Sequence, residues 1–480
     1  MQGGILDSFN KGEIQGTRAL TRADIRGLFW GMQKPQSSSF SRRRFLGTTA
    51  GAAASLNILT DYVKGQGTAA NSKLNIAFVG AGGRASANIA GCDAAGQTVY
   101  ALCDVDSVRA KDSFSKYSEA KRYVDWREML ATEGDKIDAV VVSTPDHLHA
   151  VSAMEAIKMG KHVYVEKPLT LTISEARALH KAAKEAGICT QMGNTGHANE
   201  GARLTNEYIQ SGSLGEVSEV FCRTNRPIWP QDLIRPAEEP VPGSLDWDLW
   251  LGPAADKPYS SKIVPFKWRG YIDYGTGALG DMGAHILDHP VWAFGLGLPT
   301  KISVEKADRS TPGSEKDSHP SSCIINYEFA AGENHGPIKI KWLDGQYKIP
   351  RPEGMRADKE TPDNGCVYVG SKHTMMHGSH GGTPTIIDSN YASFEAPAKT
   401  MERSPGHYVE WIDAIQAGDP SKAKSNFDVA APLTETLLLG VIGSLMGPGT
   451  ELTWDAENMT TGNAEADKLV QHSYREGWSL

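Results

Sequence analysis

The chain has 480 residues and a formal charge of −8; 40% of it is apolar, with eleven tryptophans, fifty glycines and twenty-five prolines. That length predicts two folded units, and the apolar fraction suffices for sizeable cores. The acidic balance and the lack of a long basic stripe exclude nucleic acid as an expected partner. Six scattered cysteines without a C-x-x-C argue against structural zinc or an iron–sulfur cluster.

Ser41-Arg42-Arg43-Arg44-Phe45-Leu46-Gly47 opens an uncharged stretch, 45–60, that is rich in Ala, Gly and Thr. A twin arginine before a mildly apolar segment resembles a bacterial twin-arginine (Tat) signal. The resemblance implies the Tat machinery as a partner and a periplasmic or otherwise exported location. The stretch is too short and too mild for a membrane span. Residues 1–31 are unusual ahead of such a signal, and Met32 is the expected start. Residues 1–72 are thus expected to be extension, signal and linker.

From residue 74 the pattern becomes regular. Apolar runs at 74–79, 98–103, 137–143, 162–165 and 189–192 predict buried strands. Helices are expected after Ala85, around 108–117, at 126–130, and from 149 to 159 before Gly160. Thr172 and Glu175 have capping-box spacing, opening a helix that Gly187 stops. Alternation of this kind predicts an N-terminal Rossmann domain with a doubly wound parallel sheet over 73–195.

Gly80-Ala81-Gly82-Gly83-Arg84-Ala85 lies directly after the first strand and opens a helix. Gly80 permits the tight turn, Gly82 lets the backbone approach a pyrophosphate, and Ala85 keeps helix and strand close. Asp104, ending the second strand, stands where an acid binds the adenosine ribose. A carboxylate there repels a 2′-phosphate and favours NAD, while Arg84 and Arg109 leave NADP open.

Beyond 195 the character changes. Residues 225–270 form a Trp- and Pro-rich insertion, followed by β-like runs at 301–306, 323–329, 338–342 and 367–369. Helices at 407–417 and 433–445 are expected to close this second α/β domain, 196–480, around a mostly antiparallel open sheet. No transmembrane segment is expected after the signal.

Three further segments complete a set: Ser143-Thr144-Pro145-Asp146-His147-Leu148-His149, Glu166-Lys167-Pro168 and Gly280-Asp281-Met282-Gly283-Ala284-His285. With the glycine turn they resemble the glucose–fructose oxidoreductase / inositol dehydrogenase / rhizopine-catabolism (Gfo/Idh/MocA) family across 73–480. The resemblance implies that Thr144, Pro145, His149, Glu166, Lys167 and Asn194 contact the cofactor. It also implies a sugar, sugar derivative or polyol as substrate and a homo-oligomer. Histidine suits the proton step of carbinol oxidation, and a lysine ammonium stabilises the developing oxyanion. His285 is therefore assigned as acid/base, Lys167 as stabiliser, and Asp281, four residues before His285, as its orienter or a substrate ligand.

Export adds a constraint. A released cofactor is scarce outside the cytoplasm, so tight binding is expected. An NAD-dependent glycosidase, working by transient oxidation, elimination, hydration and reduction, is the alternative. Lys167 leans towards the oxidoreductase, and the Lys/Asp/His set disfavours a non-catalytic sugar-binding protein. His373, His377 and His380 have ligand-like spacing, but a Gly-rich loop is expected and no metal. Trp229, Trp247, Trp250 and Trp268 are expected mainly to pack the insertion, and Arg226 and Arg269 to form salt bridges.

Overall fold

The computed structural model describes residues 73–480, all within one compact unit, Ile58–Leu480. The twin-arginine segment and Met32 lie outside the described residues. The first sheet has six parallel strands in the order β3-β2-β1-β4-β5-β6. They are β1 (Asn75–Val79), β2 (Thr98–Cys103), β3 (Lys121–Tyr123), β4 (Ala139–Val142), β5 (His162–Val165) and β6 (Thr190–Met192). Apolar side chains on both faces suit β1 and β4 to a sheet covered on both sides. The strand order reverses between β1 and β4, and ligands bind such sheets at the carboxyl ends beside that reversal.

Edge strand β3 is not foreseen because its Lys-Arg-Tyr sequence is polar and its two charged residues are exposed. The helix expected from 149 starts earlier, as Asp146–Lys158. Pro145 is extended at its N-cap and Asp146 puts a carboxylate in the first turn, both favourable at a helix start. The Thr172/Glu175 capping box forms, and Gly187 ends that helix in a left-handed conformation.

The second sheet has eight strands in the order β13-β12-β11-β7-β10-β9-β8-β14. These are β7 (Val217–Arg223), β8 (Lys301–Asp308), β9 (Ser322–Phe329), β10 (Ile338–Leu343), β11 (Gly365–Gly370), β12 (Thr374–Gly378), β13 (Thr385–Ile386) and β14 (Glu451–Thr453). Only β7 and β10 pair in parallel; the other ladders are antiparallel. β7 runs through the middle of the sheet yet carries Arg223, whose buried guanidinium pairs with Asp363 at 2.6 Å. That charge masks the strand in the sequence. The segment expected as a Gly-rich loop at 373–380 is corrected: most of it is β12, with His377 opposite Cys366.

The helix Phe427–Met446 fills the space between the two sheets, against the helices Ile173–Ala186 and Gly277–Ile286 and strand β8. It is long and apolar enough to cross a membrane, but most of it is buried inside the fold. The helix His407–Ala417 was expected to close the second domain. Instead its Trp411, Ile412 and Ile415 join Ile76, Phe78 and Leu102 on one face of the first sheet. Its apolar stripe packs there beside Ile89 and Cys92 of the helix Arg84–Ala94, so burial decides its place. On the outer face of the second sheet, Phe221, Leu343 and Val367 are covered by Ile349, Met355 and Ile387.

Candidate active site

The carboxyl ends of β1, β2, β4 and β5 open on one cleft, bordered by Gly80, Gly82, Arg84, Asp104, Thr144, Pro145, Glu166 and Lys167. The insertion forms the opposite wall through Pro242, Leu245, Leu249, Trp250, Trp268 and Arg269. It is anchored by backbone bonds, Asp246 N to Val105 O at 2.9 Å and Ser107 N to Ser244 O at 3.0 Å. This strap lies beside the end of β2, the adenosine side of a dinucleotide site.

The turn has no room for side chains. A Cβ on Gly80 (φ +93°) would lie 2.7 Å from Ser143 O, and one on Gly82 would lie 2.5 Å from Arg109 Cγ and 2.6 Å from Arg109 O. The Arg109 guanidinium crosses Gly83, bringing a cation to where phosphates approach. Asp104 Oδ2 accepts the N–H groups of Ala81 (2.9 Å) and Gly82 (3.0 Å), and Oδ1 accepts Asp106 N (2.9 Å). Burial raises its carboxyl, and these three bonds oppose the rise. Asp104 thus braces the turn while still bordering the cleft.

Glu166 Oε1 accepts Arg84 Nε at 2.8 Å and Asn88 Nδ2 at 3.0 Å. Burial alone would raise the Glu166 carboxyl, but Arg84 and Lys167 hold it below its ordinary value. Ala85, His149 and Asn194 are buried and do not border the cleft. The His149 ring lies 2.9 Å from both Thr144 O and Pro168 O, fixing the backbone on either side of the cleft floor. Asn194 Oδ1 accepts Ser425 Oγ at 2.5 Å. Its Nδ2, like Thr144 Oγ1, is buried without a partner. Thr144 Oγ1, unpaired among the described residues and bordering the cleft beside a glycine cradle that a Cβ would fill, fits a dinucleotide site.

Lys167 Nζ bonds Asp281 Oδ1 at 2.7 Å and Asp281 O at 2.8 Å, and Arg269 Nε reaches the same Oδ1 at 3.2 Å. Burial would raise Asp281, but Lys167 and Arg269 keep it below the usual carboxylate value. Arg269 also lies over the rings of Trp268 (4.2 Å), Phe266 (5.3 Å) and Trp229 (5.9 Å). Asp146, at the start of its helix, accepts Thr276 N at 3.1 Å and Thr276 Oγ1 at 2.8 Å, tying the first sheet to the helix that carries Asp281 and His285.

The expectation that Asp281 orients His285 is corrected. The carboxylate is taken by two cations, which attract it more strongly than a neutral imidazole. Among the described residues His285 makes no side-chain hydrogen bond, and its Nδ1 is buried without a partner. Its ring instead stacks on His380, centroids 3.9 Å apart and planes at 26°. Burial first, then Lys167 and His380, holds His285 well below its ordinary value.

The three downstream histidines go separate ways: His373 pairs with Asp388 (3.3 Å), His377 with Tyr368 Oη (3.0 Å), and His380 with His285. Trp247 and Trp250 stack on each other at 4.7 Å, and Trp250 packs on His147 and Tyr274. Of the four tryptophans, Trp250 and Trp268 border the cleft. Arg109, named in the sequence for its bearing on NADP, borders the cleft, whereas the stacking of His380 on His285 has no sequence signal because no spacing links the two segments.

Fold and cleft together define an NAD-binding Rossmann protein with an α/β partner domain. Residues 74–194 match the family model described as "Oxidoreductase family, NAD-binding Rossmann fold", and 226–334 match its "C-terminal alpha/beta domain". Both models are those of the Gfo/Idh/MocA oxidoreductase family. It is 29% identical to a levoglucosan dehydrogenase of Pseudarthrobacter phenanthrenivorans over 34% of each chain. To a glycosyl hydrolase family 109 protein of Shewanella baltica it is 30% identical, over 30% of this chain and 33% of that one. The match thus spans about a third of the length of these curated relatives. The WlbA dehydrogenase of Bordetella pertussis, solved with NADH and UDP-GlcNAcA, shares the fold at 17% identity and a TM-score of 0.56. That likeness covers 80% of this chain and 99% of the other.

Proposed function

We propose that the chain is an exported NAD-dependent oxidoreductase acting on a CH–OH group of a sugar, sugar derivative or polyol, with its cofactor held rather than exchanged. The carrying observation is the Lys167–Asp281 ion pair in the wall of a dinucleotide cleft, with uncharged His285 on the same helix as Asp281. When bound, the nicotinamide supplies the hydride acceptor. His285, neutral at neutral pH, is in the form that accepts the hydroxyl proton. Lys167 donates to the substrate oxygen as negative charge grows there. Asp281, itself fixed by Arg269, holds that ammonium in one place, and Glu166, neutralised by Arg84, keeps the cleft floor rigid.

The sugar class is supported by the levoglucosan dehydrogenase relative, and NAD over NADP by the carboxylate of Asp104. Cofactor retention is supported by the strap across the adenosine side and by the Arg42-Arg43 signal, since the Tat route carries folded proteins. The same reading divides the chain at 195/196 and includes homo-oligomers.

A second reading, an NAD-dependent glycosidase, is favoured by the family 109 relative. Incubating the purified protein with glycosides and no added cofactor separates the two. A keto-sugar or lactone in the mass spectrum supports the oxidoreductase. Free sugar at unchanged oxidation level supports the glycosidase. Neither product across a broad panel defeats both.

A further inference from the structure

The loop after β12 brings one histidine onto another. His380 is exposed, while the ring beneath it, His285, is 6% exposed. His380 also has φ +59°, in the left-handed region that non-glycine residues avoid at a cost on the order of 1 kcal/mol. Gly381 and Gly382 follow it directly and would take that conformation without strain. The backbone is nevertheless tightly held. Asn199 Nδ2 bonds His380 O at 2.7 Å, His380 N bonds His285 O at 3.3 Å, and Gly381 N bonds His289 Nε2 at 2.8 Å. A Cβ on Gly196 would collide with His380 Cα, and one on Gly201 with Gly381 O, so two glycines let this loop dock. Strain that the surroundings over-determine is a pointer to function.

We propose that His380 is the positioning residue for His285, fixing its ring plane by stacking so that the neutral imidazole is held ready to take the substrate's hydroxyl proton. The inference rests on the reading of His285 as the base. Among the described residues no carboxylate or carbonyl bonds the His285 ring, so the stacked face is what sets it. The proton moves from the substrate oxygen to the His285 ring, and the carbinol hydride leaves to the oxidised nicotinamide. A protonated His380 would repel the His285 cation so formed, so the stack serves the base only while His380 is neutral.

Charge around the pair has the same sense. Partial desolvation of the ring first, then the nearby charges of Lys167, Arg84 and Arg226, oppose protonation of His380, while Asp281 favours it. His285 meets Lys167, Arg84, His380 and His289. Both rings are therefore kept neutral at rest, which leaves the base ready.

The test is an NMR titration of the His285 ring in the NAD-loaded protein, assigned with His285→Gln. It compares wild type with His380→Phe, which keeps an aromatic face without a titrating group, and His380→Asn, a residue that tolerates the left-handed conformation. Thermal melting and NAD content confirm that each variant is folded. The expected result is that His380→Asn abolishes the ring-current shift of His285 and broadens its signals. His380→Phe should keep the shift and raise the His285 midpoint by about one pH unit, a tenfold gain in proton affinity. Unchanged His285 shifts and titration in both variants would overturn the proposal, as would equal loss of ring order in both. Failure of the underlying reading has a different signature: His285→Gln would retain sugar-dependent reduction of bound NAD.

Discussion

The two ends of the cleft achieve binding by different means. At the glycine turn the backbone dominates: Gly80 and Gly82 have no space for a Cβ, and Asp104 serves N–H groups of that same turn. At the other end side chains from distant segments meet: Lys167 after β5 and Arg269 on the insertion border the cleft, Asp281 pairs with both, and His285, on the same helix, stacks on His380 after β12. The first end is local in sequence, and its function follows from steric necessity. The second depends on which charges find each other once the sheets pack, and there one partner was reassigned.

Breaking the charged end should have the largest effect. Lys167→Met is expected to lower kcat about 10^3-fold while NAD stays bound, because the ammonium acts on charge that appears in the transition state. Steady-state kinetics with NAD quantified by mass spectrometry checks this; equal loss of cofactor would place Lys167 in binding instead. Asp281→Asn should lower kcat about 10^2-fold and cost about 3 kcal/mol in a denaturant melt, since two partly buried cations lose their shared anion. An unchanged melt would mean that Lys167 and Arg269 relax into solvent.

The turn should respond in affinity rather than rate. Gly82→Ala is expected to weaken NAD binding about tenfold with kcat at saturation nearly intact, because the new methyl must displace the Arg109 backbone. Calorimetry on cofactor-stripped protein measures it, and a wild-type affinity would show that the turn yields.

A pH experiment concerns both ends. Burial holds His147, His319 and His407 down at about 4. Between about pH 6.5 and 4 the unfolded chain binds protons that these folded residues refuse. Stability should therefore fall as pH falls through that window, by ~2 kcal/mol per histidine at pH 5. Asp344, pushed up to about 7 by burial, works in the opposite sense, losing stability as pH rises from 3.8 to 7. With three histidines against one carboxyl, the melting temperature is expected to be lower at pH 5 than at pH 7. A higher value at pH 5 would reverse the assignment of these rings as neutral.

Legibility in the sequence follows the same division. Apart from β3, the strands of the first sheet and the Thr172/Glu175 cap are legible because buried parallel strands are mostly apolar and caps are local. Strands β7 and β12 could not, since Arg223 and His377 put polar groups into buried ladders whose partners lie far away in the chain. The helix His407–Ala417 is legible as a helix, but its packing against the first sheet rather than within the second domain is not, because an apolar stripe does not name the face it will cover. The residues Lys167, Asp281 and His285 were selected from the motifs, whereas the pairing of Asp281 with Lys167 and the stacking of His380 on His285 arise only from tertiary packing.

The central claim is hydride transfer between a sugar carbinol and NAD held in this cleft. It is tested most directly by incubating the purified protein with a panel of carbon-deuterated sugars and polyols and then releasing the bound dinucleotide for mass spectrometry. The account predicts NAD in the protein as isolated, with deuterium appearing on it for at least one sugar and not with Lys167→Met. A protein that neither carries nor binds NAD, or a cofactor that stays unlabelled across the panel, would contradict it.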